Sequence, residues 1–309
     1  MSQKKREELS KEEKVEFLTR IIERDDYGTD YQPLLEDFLD DPDPEIRALA
    51  ISGLWDYPDP TLIDYLFATA KEDPSQEVRS KALVVLGRYI YEGDSACYDL
   101  DLGPMEELIR QDELPEEDFQ RIQGFLLSVS RDESESLDSR RFAIEALSFL
   151  HTPEVLSLIE EAYNHPDLKM KVSAIFAMGR NGHKRWWPFI LKELDSTVLE
   201  PQYEAVRAAG EAYLEDATPR LISLIESTAD KTLCLEAIWA LGQTGGDAAY
   251  EFLKKLQSDQ QEDEEISKVA EAALYELLIA EIPEEGAYLW YEDDEDWGDG
   301  NGMQQEDDW

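Results

Sequence analysis

The stretch EVRSKALVVLG, residues 77–87, decides the fold, because its pattern returns as EIRALAISGLW (45–55), MKVSAIFAMG (170–179), YEAVRAAG (203–210) and LEAIWALG (235–242). Each copy carries an alanine, a branched aliphatic side chain one residue later, and a further apolar residue four after the alanine. Ala50, Ala82, Ala143, Ala174, Ala205, Ala237 and Ala270 mark the repeat position, at successive spacings of 32, 61, 31, 31, 32 and 33 residues. A sustained period of this length belongs to arrays in which each unit buries its apolar face against the next. The single doubled spacing implies an insertion about one repeat long, at 93–114.

One residue after the alanine stand Ile51, Leu83, Ile144, Ile175, Val206 and Ile238. Four after it stand Leu54, Leu86, Leu147, Met178, Ala209, Leu241 and Leu274. Spacings of one and four share a helical face, so these rows predict a buried stripe. Glu271 breaks the first row and suits a terminal unit with no neighbour outside it. A second amphipathic stretch precedes most of these helices, as in TLIDYLFATAK (61–71), EVLSLIEEAY (154–163) and RWWPFILKEL (185–194). Each repeat is therefore expected to be a helical hairpin.

Local chemistry points the same way. Asp43-Pro44, Asp59-Pro60, Asp73-Pro74, Thr152-Pro153 and Thr218-Pro219 each offer a capping side chain followed by a proline tolerated in a first helical turn. Ser10 with Glu13 forms a candidate capping box for a leading helix. Gly87, Gly179, Gly210 and Gly242 lie five residues after the repeat alanine, where a helix gains nothing from glycine and close packing is the expected reason. Trp186 or Trp187 should be core, given the spacing to Ile190. No alternation of period two persists, so the expected fold is all-α: a right-handed α-solenoid of about seven two-helix repeats. Residues 1–29 read as an N-terminal helical cap, 30–282 as the repeat array, and 283–309 as an acidic, aromatic and flexible tail.

The motifs E-V-R-x-x-A-x-x-x-L-G at 77–87 and D-P-x-x-x-R-x-x-A at 42–50 resemble HEAT repeats, especially the short variety of phycobilisome lyases. The resemblance spans residues 30–282 and implies an armadillo-like superhelix serving mostly as a protein-binding surface. It also implies a polar ladder between repeats built by a basic residue near the start of each second helix. Arg47, Arg79, Arg140 and Lys171 fit that position, whereas Gln202, Cys234 and Ser267 depart from it and are expected to interrupt the ladder.

Composition narrows the function. The 309 residues hold 72 acidic and 29 basic side chains, a formal net charge of -43, which repels nucleic acid and anionic membrane surfaces. Removing the tail leaves a net of -32 over 282 residues, so the acidity belongs to the array as well and favours a basic protein partner. The two cysteines are far apart, and no targeting segment or membrane span is recognised, so a reducing, cytoplasmic setting is expected. No nucleotide-binding loop, nucleophile elbow or zinc motif is found, and no cofactor is expected. The paired histidine-glutamate dipeptides that hold iron in deoxyhypusine hydroxylase, a relative with this repeat, do not occur. His151, His165 and His183 are assigned to helix ends, where imidazole bonds the last carbonyls. Cys234 reads as a small buried hydrophobe, and acidic surroundings keep Cys97 from being a reactive thiolate.

A protein-binding face remains. Positions two and six after the repeat alanine lie opposite the buried stripe and should face the concave groove. They include Arg88, Phe149, Phe176, Arg180, Arg207 and Trp239, residue types that dominate binding hot spots. Burial between tightly packed second helices and contact with the chain's own tail stay open as alternatives. The tail carries eleven acidic and no basic residues around Trp290, Trp297 and Trp309, which makes those tryptophans candidate interaction points. The expected function is a non-enzymatic protein-binding scaffold or adaptor. The alternative is a lyase-like or enzyme-accessory protein acting on a chromophore or a covalently modified protein.

Overall fold

The period of the sequence becomes a series of helix pairs. The computed structural model describes residues 9–24, 29–95, 114–258 and 263–280. The insertion beyond Ser95, Cys97 and the tail with Trp290, Trp297 and Trp309 lie outside them. Among the described residues there are fifteen α-helices and no strand. The chain packs as two compact units, Met1–Ala217 and Thr218–Trp309.

In the first unit, α1 (Lys11–Ile22) leads five pairs. These are α2 (Gln32–Glu36) with α3 (Pro44–Gly53), α4 (Ile63–Glu72) with α5 (Gln76–Ser95), and α6 (Glu116–Arg131) with α7 (Leu137–Leu147). Then come α8 (Pro153–Tyr163) with α9 (Leu168–Asn181), and α10 (Trp187–Leu194) with α11 (Leu199–Glu211). The second unit holds α12 (Thr218–Ser227) with α13 (Lys231–Thr244), and α14 (Asp247–Ser258) with α15 (Glu264–Ala280). Second helices also pack side by side, α3 on α5, α5 on α7, α7 on α9 and α9 on α11, and within the other unit α13 on α15. This is the arrangement of an all-α solenoid.

All seven repeat alanines are completely buried, as are Ile51, Leu83, Ile175, Val206, Ile238, Leu54, Leu86, Leu147, Met178, Ala209 and Leu241. Ile144 and Leu274 are buried as well, while Glu271 is exposed on the last helix, as its charge requires. Trp186 is the core member of its pair, fully buried with Ile190 one turn on, and its indole N–H donates to Asn181 Oδ1 at 2.8 Å. Trp187 is half-buried.

The glycines five after the alanine sit where second helices touch. A Cβ on Gly87 would lie 3.0 Å from Ala146 Cα, one on Gly179 2.6 Å from Ala208 Cα, and one on Gly242 2.5 Å from the Ala273 carbonyl oxygen. In each case the obstacle is backbone, which cannot swing aside. Close helix approach is thus the reason for these glycines, and it offsets their helix-propensity cost of about 1 kcal/mol each.

Caps follow the expectation at Ser10, whose box with Glu13 is complete, and at Asp43, Asp59 and Thr152, each accepting from a backbone N–H. Two positions differ. Asp73 closes α4 while α5 begins only at Gln76, because its carboxylate is held by Arg47 and by the Ser75 N–H. Thr218 lies inside α12, its hydroxyl 3.2 Å from that of Thr244.

The polar row three residues before the alanine serves the hairpins as well as the ladder. Arg47 reaches the next pair through two 2.9 Å bonds to Asp73, and Lys171 does so through a 2.8 Å ion pair with Glu193. Arg47 also donates to the Asp41 carbonyl at 2.7 Å, Arg79 to that of Asp73 at 2.7 Å, and Arg140 to that of Ser130 at 3.3 Å. Gln202 and Ser267, expected to break the row, perform the same closure on Leu194 O at 2.9 Å and Gln257 O at 3.1 Å. The end of a first helix leaves carbonyls without intrahelical partners, and a neutral donor satisfies one as a guanidinium does, for about 1 kcal/mol.

Gly179→Ala should lower the melting temperature, with a cost of about 2 kcal/mol as α9 and α11 are forced apart. Gly124→Ala, in α6 with open space around the added methyl, should raise stability by about 0.5–1 kcal/mol through chain entropy and helix propensity. Denaturant titration of both variants checks the contrast; equal effects would mean the Gly179 contact does not limit helix approach.

Candidate binding face

Close approach of the second helices brings their two-after and six-after rows into contact in the first unit. The result is an alternation of cations and rings running across α5, the end of α7, α9 and α11. Arg88 Cζ lies 5.1 Å from the Tyr91 ring centre, and the Tyr91 and Phe149 rings are 5.1 Å apart. Arg180 Cζ lies 4.8 Å from Phe149 and 4.2 Å from Phe176, and Arg207 Cζ lies 5.7 Å from Phe176 on its other flank. Such contacts contribute about 0.5–2 kcal/mol each when partly desolvated, enough to hold the side chains in one arrangement.

Phe149, Phe176 and Arg180 are each half-buried, so the rings both pack against neighbours and keep exposed edges. Of the residues read from the sequence, Arg88, Phe149, Phe176, Arg180 and Arg207 all belong to this ladder. Trp239 sits on α13 of the second unit and is 37% exposed. Tyr91 was not anticipated, since it lies beyond the two rows. Its signal was available, because α5 continues to Ser95 and a spacing of three places Tyr91 beside Arg88.

Beneath the ladder is a cleft of about 260 Å³ lined by Trp55, Val84, Glu145, Ala146, Phe176 and Arg180. Its walls are apolar apart from the last acid and base. Glu145, on α7, accepts a hydrogen bond from the Ser173 hydroxyl and lies 3.5 Å from Arg141 Nη1. Burial pushes its carboxyl above the ordinary value, against the Ser173 bond and the nearby guanidinium groups of Arg141, Arg180 and Arg207. Arg207 is paired with Glu204 at 3.6 Å and Glu211 at 3.4 Å, and Arg88 with Glu92. Arg180 differs from these. Among the described residues it makes no hydrogen bond and has no carboxylate within ion-pair distance, and burial lowers its pKa from the arginine norm.

A second polar group is structural. Glu193 is 3% exposed and is held by Lys171 at 2.8 Å and by the Tyr163 hydroxyl. Burial alone would raise its carboxyl, but the bonds from Lys171 and Tyr163 outweigh that and hold it below the ordinary value. The same site pushes the Tyr163 phenol up, through burial and the neighbouring carboxylate.

The histidines depart in part from expectation. His151 Nε2 lies 2.8 Å from the carbonyl of Asn181, which ends a different helix. His165 and His183 instead accept the backbone N–H of Asp167 and Arg185, because each precedes a helix start where free N–H groups point back along the chain. Cys234 is buried in the second unit, as expected, beside a cavity of about 300 Å³ shared with Phe252, Leu256 and Ile266. Among the described residues no group of three or more His, Cys, Asp or Glu side chains is placed to hold a metal ion. No described helix is long and apolar enough to cross a membrane.

Sequence comparison matches the family profile of HEAT repeats over residues 32–115 and 187–274. No curated protein matches the chain. Among solved structures, the complex of CpcE and CpcF of phycocyanin lyase from Nostoc sp. PCC7120 is similar at 18% identity, with a TM-score of 0.51, over 87% of this chain and 96% of that one. Yeast importin-beta is similar at 13% identity and a TM-score of 0.49, over 89% of this chain and 38% of that one. Human deoxyhypusine hydroxylase follows at 14% identity and a TM-score of 0.37, over 87% and 96% of the two chains.

The buried carboxyl of Glu193 and the half-buried one of Glu145 should titrate stability with opposite sign. Glu193 has a lowered folded pKa, so its contribution is present above the ordinary value of 4.5 and is lost as pH falls through the folded value. Glu145 has a raised folded pKa, so its ionisation costs the fold as pH climbs above 4.5. Relative to wild type, Glu193→Gln should lose stability toward neutrality, by about 2 kcal/mol after discounting for the partly exposed Lys171. Glu145→Gln should gain toward neutrality, and thermal melts between pH 3 and 7 would separate the two.

Proposed function

The chain belongs to the HEAT-repeat family, and from that premise we propose that it is a non-enzymatic scaffold that binds a protein partner along the second-helix face of its repeats. The observation that supports this is the cation and aromatic ladder from Arg88 to Arg207, which leaves ring edges and guanidinium groups at the surface of a stacked array. Rigid aromatic side chains and arginines on a preformed backbone bind at low entropic cost, since little has to be ordered on association. Trp239 offers a further exposed ring on the second unit.

The partner is a basic polypeptide. A net charge of -43 draws such a chain in and turns polyanions away, raising encounter rates at low salt. The acidic tail around Trp290, Trp297 and Trp309 adds to that attraction. The protein acts in the cytoplasm and needs no cofactor.

A second reading rests on the likeness to the CpcE and CpcF complex, which extends over most of both chains. On that reading the protein assists a reaction on a chromophore or a modified protein. Visible absorption retained through purification would favour it over the scaffold.

Crosslinked capture from the source cell, compared between wild type and Phe176→Ala, tests the scaffold. The same polypeptide should be lost or weakened about thirtyfold by the variant, as for a hot spot of about 2 kcal/mol. Capture should also weaken with rising ionic strength. Unchanged capture by a variant that melts like wild type would refute the assignment of this face.

A further inference from the structure

The last described helix, α15, buries one face and leaves an apolar one open. Ala270, Ala273, Leu274 and Leu277 are buried, and the opposite side carries Tyr275, Leu278 and Ile279 at 65, 44 and 44% exposure. At about 100° per residue, Tyr275 and Ile279 fall at the centre of that side and Leu278 at its border. Lys268 and Glu271 lie on the same side nearer the start of the helix, so charge gives way to apolar surface toward its end. Water as the only neighbour does not account for this, because a solvated helix face is polar.

Two departures from the repeat pattern say what does not cover the face. Five residues after the repeat alanine, Gly87, Gly179 and Gly242 admit the backbone of the next second helix, and α15 holds Tyr275 there. One residue after the alanine, the row that is buried in the other repeats holds Glu271, which is exposed. A phenol ring keeps a helix from approaching at glycine spacing, and a carboxylate buried there without a partner would be costly. Another repeat, or a second copy stacked as one, is therefore excluded, and thinner extended chain fits.

We infer that residues 287–291 of the same chain, Ala287, Tyr288, Leu289, Trp290 and Tyr291, dock on Tyr275, Leu278 and Ile279 and close the apolar end of α15. This is the longest apolar run in 281–309, the part of the chain beyond α15, and it bears no charge. The sequence from Glu292 onward is strongly acidic, and the exposed carboxylates of Glu271 and Glu276 repel it from the same face. The link from Ala280 to Ala287 extends to about 24 Å, whereas Tyr275 lies only about 8 Å back along the helix axis. Within that link, Pro283 and Gly286 are the residue types that end a helix and reverse a chain. Tethering also presents the segment at an effective concentration on the order of mM, ahead of a free chain of equal affinity. The contact lies within the second unit and holds whether or not a partner occupies the ladder of the first.

The experiment uses the full-length protein with fluorotryptophan incorporated, the Trp290 signal being assigned by its loss in Trp290→Phe. Fluorine NMR should place that signal away from its position in a synthetic peptide of residues 284–294, as a ring packed on protein requires. Tyr275→Asn combined with Ile279→Asn, both at exposed positions, should return it to the peptide value and leave the Trp297 and Trp309 signals unmoved. Thermal melting gives a second reading. Ile279→Asn and Trp290→Ser should each lower the melting temperature by about 2–4 °C. Together they should lower it no further than the larger single effect, since both remove one contact.

A Trp290 signal at the peptide value in the wild type would overturn the inference, as would melting shifts that add in the double variant. A displaced signal that survives in the Tyr275 and Ile279 variant would overturn the docking face. Displacement that grows with protein concentration would give the face to a second copy instead.

Discussion

Where Gly87, Gly179 and Gly242 meet Ala146, Ala208 and Ala273, neighbouring second helices approach to the limit that backbone atoms allow. Everything on the exposed face of those helices inherits that distance. Side chains two and six residues after the repeat alanine would be separate surface groups on widely spaced helices. At glycine spacing, Phe149, Arg180, Phe176 and Arg207 touch in sequence, and a row of independent residues becomes one surface. A methyl group at Gly179 acts on this face without belonging to it.

The other constraint is carbonyl satisfaction. A short hairpin leaves the end of its first helix with oxygens that no backbone donor reaches. The position three before the repeat alanine supplies a donor to that place in three of the hairpins, through Arg140, Gln202 and Ser267, and in two more Arg47 and Arg79 donate to carbonyls of the connection just beyond the first helix. What the position demands is a donor, and a positive charge is an addition where a carboxylate of the next hairpin is at hand. Arg47 with Asp73 and Lys171 with Glu193 meet that second condition. A ladder judged by charge alone therefore ends too early along the chain.

The two constraints divide the labour between stability and recognition. Buried polar groups such as Asn181, bonded to Ser148 O, Leu150 O and Trp186, are satisfied within the protein and lock adjacent hairpins together. Arg180, the neighbour of Asn181 in sequence, is held differently, by ring contacts with Phe149 and Phe176 beside a cleft that it helps to line. Packing against Phe149 and Phe176 fixes the position of the charge, and the carboxylates of Glu211, Glu145 and Glu204 favour it against the burial that lowers its pKa.

Much of this architecture is legible in the residues. Period, buried rows, the tight glycine contacts and the burial of one ring of the Trp186-Trp187 pair with Ile190 follow from spacing, because helical geometry converts a sequence interval into a shared face; that the ring is Trp186 was decided by the structure. The members of the ladder were legible too, except Tyr91, which depends on how far α5 runs. Tertiary structure alone decided which groups are paired. Gln202 and Ser267 close hairpins on carbonyl oxygens that every residue possesses, so their targets have no sequence signature. The same holds for Glu145, engaged by Ser173 and Arg141, and for Arg180, which meets the rings of Phe149 and Phe176 and, among the described residues, makes no hydrogen bond. Which partner a side chain meets is set by the distance between helices that are thirty or more residues apart, and no interval along one helix encodes it.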